Sequence, residues 1–261
     1  MSTLAGATLA EAGVDAVALK PTEMALSRAR ALSVETLTID YEGTEHVPDP
    51  ETLSALAQSR AVRVTVPVRA DGFDPQGDEH LLAGLSKDVG RVLVAGHPAY
   101  LDPHEKRRSV APRLRAAADR ASDPWVGTEN VERIALAVGG TQFDLLSGST
   151  RRDVGSLRAA GFEGDVAVYA PIVLSDEDDA ILDAVGDYAA RRADVREDLP
   201  DDAPTDSRVS GRARETLMSG CRQYALVGDF ETVAGRIDRL HELGVDHVVA
   251  YPARGLDPFV G

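Results

Sequence analysis

One stretch, QYALVGDFETVAGRIDRLHELGVDHVVAYP from Gln223 to Pro252, limits the possible folds more than any other. Tyr224 to Val227 is a short apolar run that stops at Gly228, and Asp229 stands where a helix N-cap belongs. Val233, Ile237, Leu240 and Leu243 then recur at helical spacing, with Arg236, Asp238, Arg239 and Glu242 on the opposite face. Gly244 ends the helix, and Val245 to Tyr251 is a β-branched run closed by Pro252. The stretch is a βαβ unit, which makes its two strands parallel.

The unit recurs. LAEAGVDAVAL from Leu9 to Leu19 repeats the helix end, the glycine turn and the Val-Asp strand entry, and RAAGFEGDVAVYAP from Arg158 to Pro171 is a third copy with a small insertion. Repeated helix–Gly–strand punctuation is what a closed ring of βα units produces. The pattern predicts strands near Val14–Lys20, Glu35–Tyr41, Val62–Val68, Arg91–Ala95, Arg133–Val138, Val166–Ile172, Tyr224–Val227 and Val245–Tyr251. Helices are expected near Thr22–Leu32, Pro50–Ser59, Asp78–Leu85, Pro103–Ala121, Thr150–Ala160, Asp176–Ala193 with Ser207–Gly220, and Glu231–Leu243. Over 261 residues, against ~250 for the fold in general, this alternation reads as an α/β chain forming a single (β/α)8 TIM barrel across residues 1–261. A doubly wound open sheet has the same local alternation, but no Gly-x-Gly-x-x-Gly follows any expected strand.

The formal net charge is -15, and Lys20, Lys87 and Lys106 are the only lysines among many arginines. Abundant carboxylates suit a chain working in high salt, where the Debye length falls to ~3 Å at 1 M, so a halophilic, archaeal-type cytoplasm is the expected setting. An ordinary acidic enzyme is the plainer alternative. The charge disfavours nucleic acid as a partner, since no basic cluster exceeds Lys106-Arg107-Arg108 or Arg151-Arg152. A single cysteine, Cys221, excludes an intrachain disulfide and any multi-cysteine metal site, and no metal is expected. MSTLAGATLAEAGVD lacks a basic leader, and no apolar run is long enough to span a bilayer, so a cytoplasmic location and no membrane partner are expected. RADVREDLPDDAPTDS, Arg192 to Ser207, is acidic and aperiodic and reads as a surface linker or a lid.

Barrel chemistry sits where strands end. At those ends stand Lys20, Asp40 with Glu42, Arg69, His97, Gly139 with Gly140, Tyr169, Gly228, and Tyr251 with Arg254. Period-two alternation turns Leu37, Ile39 and Tyr41 outward and Thr36, Thr38 and Asp40 inward; likewise Val62, Val64, Val66 and Val68 face the helices, leaving Thr65 and Arg69 inward. Asp40 and Arg69 on adjacent strands either pair with each other or serve a pocket, Asp40 in proton transfer and Arg69 toward an anionic group. Lys20 is an amine nucleophile, a phosphate ligand, or a side chain snorkelling at the rim. His97 reaches the mouth as a neutral donor or acceptor, whereas Pro98 and Pro103 spoil a metal pair with His104. Gly139-Gly140-Thr141 is the expected phosphate cradle, with a tight turn as its plain alternative.

ALVGDFETVAGRIDRLHELGVDHVVAYP with the following ARGLDP resembles the end of the luciferase-like monooxygenase superfamily, in particular the deazaflavin-dependent reductase branch that includes methylene-tetrahydromethanopterin reductase. Gly228, Asp229, Val233, Ala234, Ile237, Gly244, Val245 and Asp246 carry the likeness, and LAVGGTQ from Leu136 to Gln142 resembles that family's phosphate-binding glycine loop. The resemblance implies a flavin- or deazaflavin-dependent oxidoreductase acting on a small molecule, with a deazaflavin coenzyme or FMN. It implies a cofactor-binding set of Gly139, Gly140, Thr141, Tyr169, Gly228, Tyr251 and Arg254 beside the catalytic candidates Lys20, Asp40, Arg69 and His97. The chain is shorter than usual members and lacks their long second-strand insertion, which keeps an alternative open: a degenerate barrel without catalysis, with a different ligand or none, that serves as a binding or assembly partner; a homo-oligomer or pairing with a related barrel is the expected assembly. A cofactor-free lyase or isomerase using Lys20 and Asp40 ranks below both.

Overall fold

A computed structural model of the chain describes residues 9–68, 85–95, 109–128 and 133–259, and in it the apolar runs become parallel strands. They are β1 (Ala16–Leu19), β2 (Thr36–Ile39), β3 (Ala61–Pro67), β4 (Val89–Ala95), β5 (Trp125–Thr128), β6 (Thr141–Leu145), β7 (Val166–Leu174), β8 (Leu226–Gly228) and β9 (His247–Pro252). All but β8 close a ring in which β1 through β7 follow one another and β9 joins β7 back to β1. The registers accumulate an offset of eight residues over one circuit, which is the shear that closes an eight-stranded barrel. The architecture is a (β/α)8 TIM barrel. β8 lies outside this ring, paired with Ile172 to Leu174 at the far end of β7.

Helices α1 (Pro50–Ala57), α2 (Val110–Ala118), α3 (Ala135–Val138), α4 (Thr150–Ala159), α5 (Asp178–Ala190), α6 (Ala193–Asp198), α7 (Gly211–Tyr224) and α8 (Phe230–Glu242) flank the strands. α8 forms as its sequence dictates: the Asp229 carboxylate accepts from the Thr232 N–H at 2.8 Å, and Val233, Ile237 and Leu240 are buried. Outward-facing Leu37, Ile39, Val62, Val64 and Val66 join these helices in the main core, while a second cluster, including Val173, Leu182, Val185, Leu217, Met218 and Cys221, packs α5 and α7 over β7 and β8.

Two sequence expectations are corrected. Arg133–Val138 is no strand: Ala135–Val138 is a helical turn, with β5 and β6 on either side of it. A short apolar run has the same signature as buried helix or strand, and WVGT, with its internal glycine, hid the true strand. Tyr224 ends α7 and the following strand starts only at Leu226. The acidic segment from residue 192 to 207 contains α6, pinned by buried Val195, and the Ser207 N–H donates to the Asp183 carboxylate at 2.9 Å.

The repeated Val-Asp entry has a structural cause. Asp15 accepts from the Val248 N–H at 2.7 Å and Asp246 from the Val166 N–H at 2.8 Å, so each carboxylate fastens the start of its own strand to the neighbouring one. Asp165, the third copy, lies 3.3 Å from His247 Nε2. These fasteners hold the N-terminal end of the barrel and leave the C-terminal end to the loops.

Candidate active site at the barrel mouth

Alternation places Asp40 at the inner rim of β2, and its side chain crosses the mouth to β7, where the Tyr169 hydroxyl donates to Oδ2 at 3.0 Å. Burial pushes the Asp40 carboxyl up to about 7, against the Tyr169 hydrogen bond and the charge of Lys20, which both favour the ionised form. Some of its surface still touches solvent, as a group that exchanges protons with a ligand requires. Oδ1 accepts no hydrogen bond among the described residues. Burial, with Asp40 beside it, raises Tyr169 well above the ordinary phenol range, so it remains a donor at any physiological pH.

Lys20 at the end of β1 is tied to two neighbours: its ammonium is 3.3 Å from Glu23 Oε1 and 4.0 Å from the centre of the Tyr251 ring. Tyr251 at the end of β9 donates to the other oxygen of Glu23, and burial together with that carboxylate raises its phenol. Glu42 accepts from Thr22 Oγ1 at 2.7 Å and from its N–H at 2.8 Å, which fastens the loop after β1 to the loop after β2. Lys20 is therefore held at the rim by an ion pair and a ring face.

Four residues named from the sequence, Lys20, Asp40, Tyr169 and Tyr251, thus meet in one cluster, joined by Glu23 and Glu42. Arg69 and His97 lie outside the described residues. Gly228 ends β8, beside a cavity of about 390 Å³ whose lining includes Arg222, Arg236 and Asp178. Arg254 is exposed in the turn after β9.

The Gly139-Gly140-Thr141 expectation is corrected in place. Gly139 and Gly140 precede β6 and Thr141 opens it, instead of following a strand, so they lie at the opposite end of the barrel from Asp40. Gly140 has φ +87° and sits so close to the preceding strand's entry that a Cβ would come within 2.2 Å of the Pro124 carbonyl oxygen. The turn reading holds: the glycines are needed by the chain's own backbone.

Sequence reasoning missed the loop that does follow β6 at the mouth, Ser147-Gly148-Ser149-Thr150, which opens α4. It adjoins Tyr169, whose carbonyl accepts from the Leu146 N–H at 2.8 Å. Ser147 Oγ lies 2.9 Å from Ser149 Oγ, and Thr150 Oγ1 accepts from the Ser147 N–H at 2.9 Å. Arg151 and Arg152 follow, and Gly148 with both arginines lines an open groove of about 520 Å³. The loop's sequence signal is SGSTRR before a helical pattern, a weaker mark of a strand-end turn than a Gly-Gly pair.

Among the described residues no group of His, Cys, Asp and Glu could hold a metal ion, and no helix is long and apolar enough to cross a membrane. The structure is similar to an F420-dependent secondary alcohol dehydrogenase in complex with an F420-acetone adduct, with a TM-score of 0.62 and 13% identity over 94% of this chain and 96% of that one. It is also similar to EDTA monooxygenase from Chelativorans sp. BNC1, with a TM-score of 0.54 and 14% identity over 87% of this chain and 80% of that one. At this level of identity the likeness shows the shared barrel. No curated protein matches the sequence. The sequence profile of one family matches residues 9–259, and the chain belongs to it: the family of unknown function DUF7388.

Proposed function

We propose that the chain is a deazaflavin- or flavin-dependent oxidoreductase acting on a small alcohol or carbonyl compound, with Asp40 as its acid–base group. The Asp40–Tyr169 pair carries this reading. A carboxyl near pKa 7 at a barrel mouth is half protonated at neutral pH and can give or take a proton. Tyr169 fixes Oδ2 and leaves Oδ1 for the substrate. When an alcohol is oxidised, Asp40 takes the hydroxyl proton as the carbon loses hydride; when a carbonyl is reduced, Asp40 returns it.

Bound at this mouth, a deazaflavin or flavin would supply the hydride acceptor or donor. The Ser147 and Ser149 hydroxyls and the Arg151 guanidinium would hold its phosphate, since the N–H groups of Ser147, Ser149 and Thr150 are given to Thr150 Oγ1, Ser147 Oγ and the Ser147 carbonyl. A Cβ at Gly148 would reach the Gln223 amide nitrogen at 2.5 Å, so this loop too has a reason for glycine. Lys20, Glu23 and Tyr251 form the opposite wall and set its charge. Deazaflavin reduction is followed by its own absorbance. With a panel of small secondary alcohols in molar salt, the wild type is expected to bleach the deazaflavin, and Asp40→Asn to turn over roughly 10²- to 10⁴-fold more slowly. Equal rates in the two proteins would remove Asp40 from the chemistry. A salt-rich cytoplasm remains the setting that the composition favours.

A further inference from the structure

Lys20 and Asp40 leave adjacent strands side by side. Leu19 and Ile39 are register partners, and the Asp40 N–H donates to the Leu19 carbonyl at 2.8 Å, so the next residues of the two strands enter the mouth together. An ammonium on a flexible four-carbon stem would ordinarily turn onto a carboxyl placed next to it. Here it turns elsewhere: among the described residues the Lys20 ammonium pairs with Glu23 and lies over the Tyr251 ring.

The sequence builds this detour. In Lys20-Pro21-Thr22-Glu23 the Glu23 N–H donates to the Lys20 carbonyl at 3.0 Å, closing a turn in which Pro21 takes the position that its fixed φ suits. Thr22 is fastened to Glu42 through both its N–H and its hydroxyl. Glu23 is thereby folded back onto Lys20, with Oε1 toward the ammonium and Oε2 accepting from the Tyr251 hydroxyl. The Glu23 side chain is 46% exposed, so its ion pair alone contributes little; the tyrosine hydroxyl and ring give the pair its direction.

We propose that Glu23 is a positioning residue for Asp40: it holds the Lys20 charge away from the Asp40 carboxyl and so leaves that carboxyl able to keep a proton. The inference rests on the reading of Asp40 as the acid–base group. Among the described residues the groups facing Asp40 are Tyr169 from β7, Lys20 from the end of β1, Glu23 from the loop after it, Glu42 beyond β2 and Tyr251 from β9. Lys20 is the one cation in this set, so its resting place decides how strongly the ionised form of Asp40 is favoured. A cation brought into contact lowers the titration midpoint of a carboxyl by about 1–3 in pH.

The test is a carbon-13 NMR titration of the full chain labelled at its aspartate carboxyls, at fixed salt and without cofactor, with the Asp40 signal identified by its loss in Asp40→Asn. In the wild type that signal is expected to titrate near pH 7. Glu23→Gln should lower the midpoint by about one pH unit or more, and adding Lys20→Met should return it to the midpoint of Lys20→Met alone, since no ammonium is left to swing across. Tyr251→Phe keeps the ring and removes the donor to Glu23; it should shift the midpoint the same way and serves where Glu23→Gln does not fold. A midpoint that neither variant moves would overturn the proposal. So would a drop of equal size with and without Lys20, which would make Glu23 act on Asp40 directly. The readout needs no turnover, so the two claims fail separately: equal alcohol oxidation by wild type and Asp40→Asn would remove the acid–base reading, whereas an unmoved midpoint would remove only the role of Glu23.

Discussion

Asp40 is acted on by burial and by four neighbouring side chains, Tyr169, Lys20, Glu42 and Glu23, and burial is the largest influence. Burial raises the carboxyl from 3.8 to about 7 although Tyr169 and Lys20 oppose it. Between those values the folded protein holds a proton that the unfolded chain has released, so this group makes stability fall as pH rises through that window. Asp40→Asn removes the slope. Its advantage over wild type should be small near pH 5 and reach on the order of 1 to 2 kcal/mol at pH 8, discounted for the part of the carboxyl that water reaches. Urea melts at the two pH values measure it, and a constant difference would place the carboxyl in an ordinary aqueous setting. Tyr169→Phe deletes the bond that favours the ionised form. The alkaline-rising limb of alcohol oxidation should therefore move to higher pH, which a pH–rate profile reads directly.

At the scale of elements, the Val-Asp strand entry is testable without any ligand. Asp246 receives Arg158 Nη2 at 2.7 Å as well as the Val166 N–H, while Arg158 also donates to the carbonyls of Phe162, Gly164 and Gly244. Asp246→Ala should lower stability by about 1–3 kcal/mol, seen as a shift in denaturation midpoint. Gly140→Asp should destabilise the barrel outright, because its Cβ meets the Pro124 carbonyl, so lost ligand binding in that variant would say nothing about a phosphate. Much of this was legible beforehand. Periodicity marks the inward face of β2 and, to within one residue at each end, α8, since local spacing alone determines them. The Asp40–Tyr169 bond joins residues 129 apart, and no local pattern records such a pairing. The strand pair around α3 escaped because LAVGG satisfies helix and strand templates equally.

The whole molecule carries -15 formal charges, and its ion pairs, such as Arg214 with Asp179 and Arg222 with Asp178, are mostly exposed. Exposed pairs contribute little each, while the net self-repulsion is long-ranged and screened by salt. The melting temperature should climb well beyond 0.15 M, about where the Debye length is ~8 Å, and keep rising toward molar salt. A curve that is flat above that point would leave the acidic surface without a salt-related role. Helix-mediated pairing with a related barrel has less to rest on: among the described residues Leu136, 47% exposed, is the one large apolar side chain so exposed. The central claim, that the mouth binds a deazaflavin or flavin through the loop after β6, is tested most directly by titrating the pure protein in molar salt with oxidised deazaflavin and with FMN, following fluorescence quenching. The account predicts saturable micromolar binding of one of them, weakened at least tenfold by Gly148→Asp, in which only the movable end of Gln223 must give way and the fold persists. No binding of either cofactor, or equal binding by the folded variant, would contradict it.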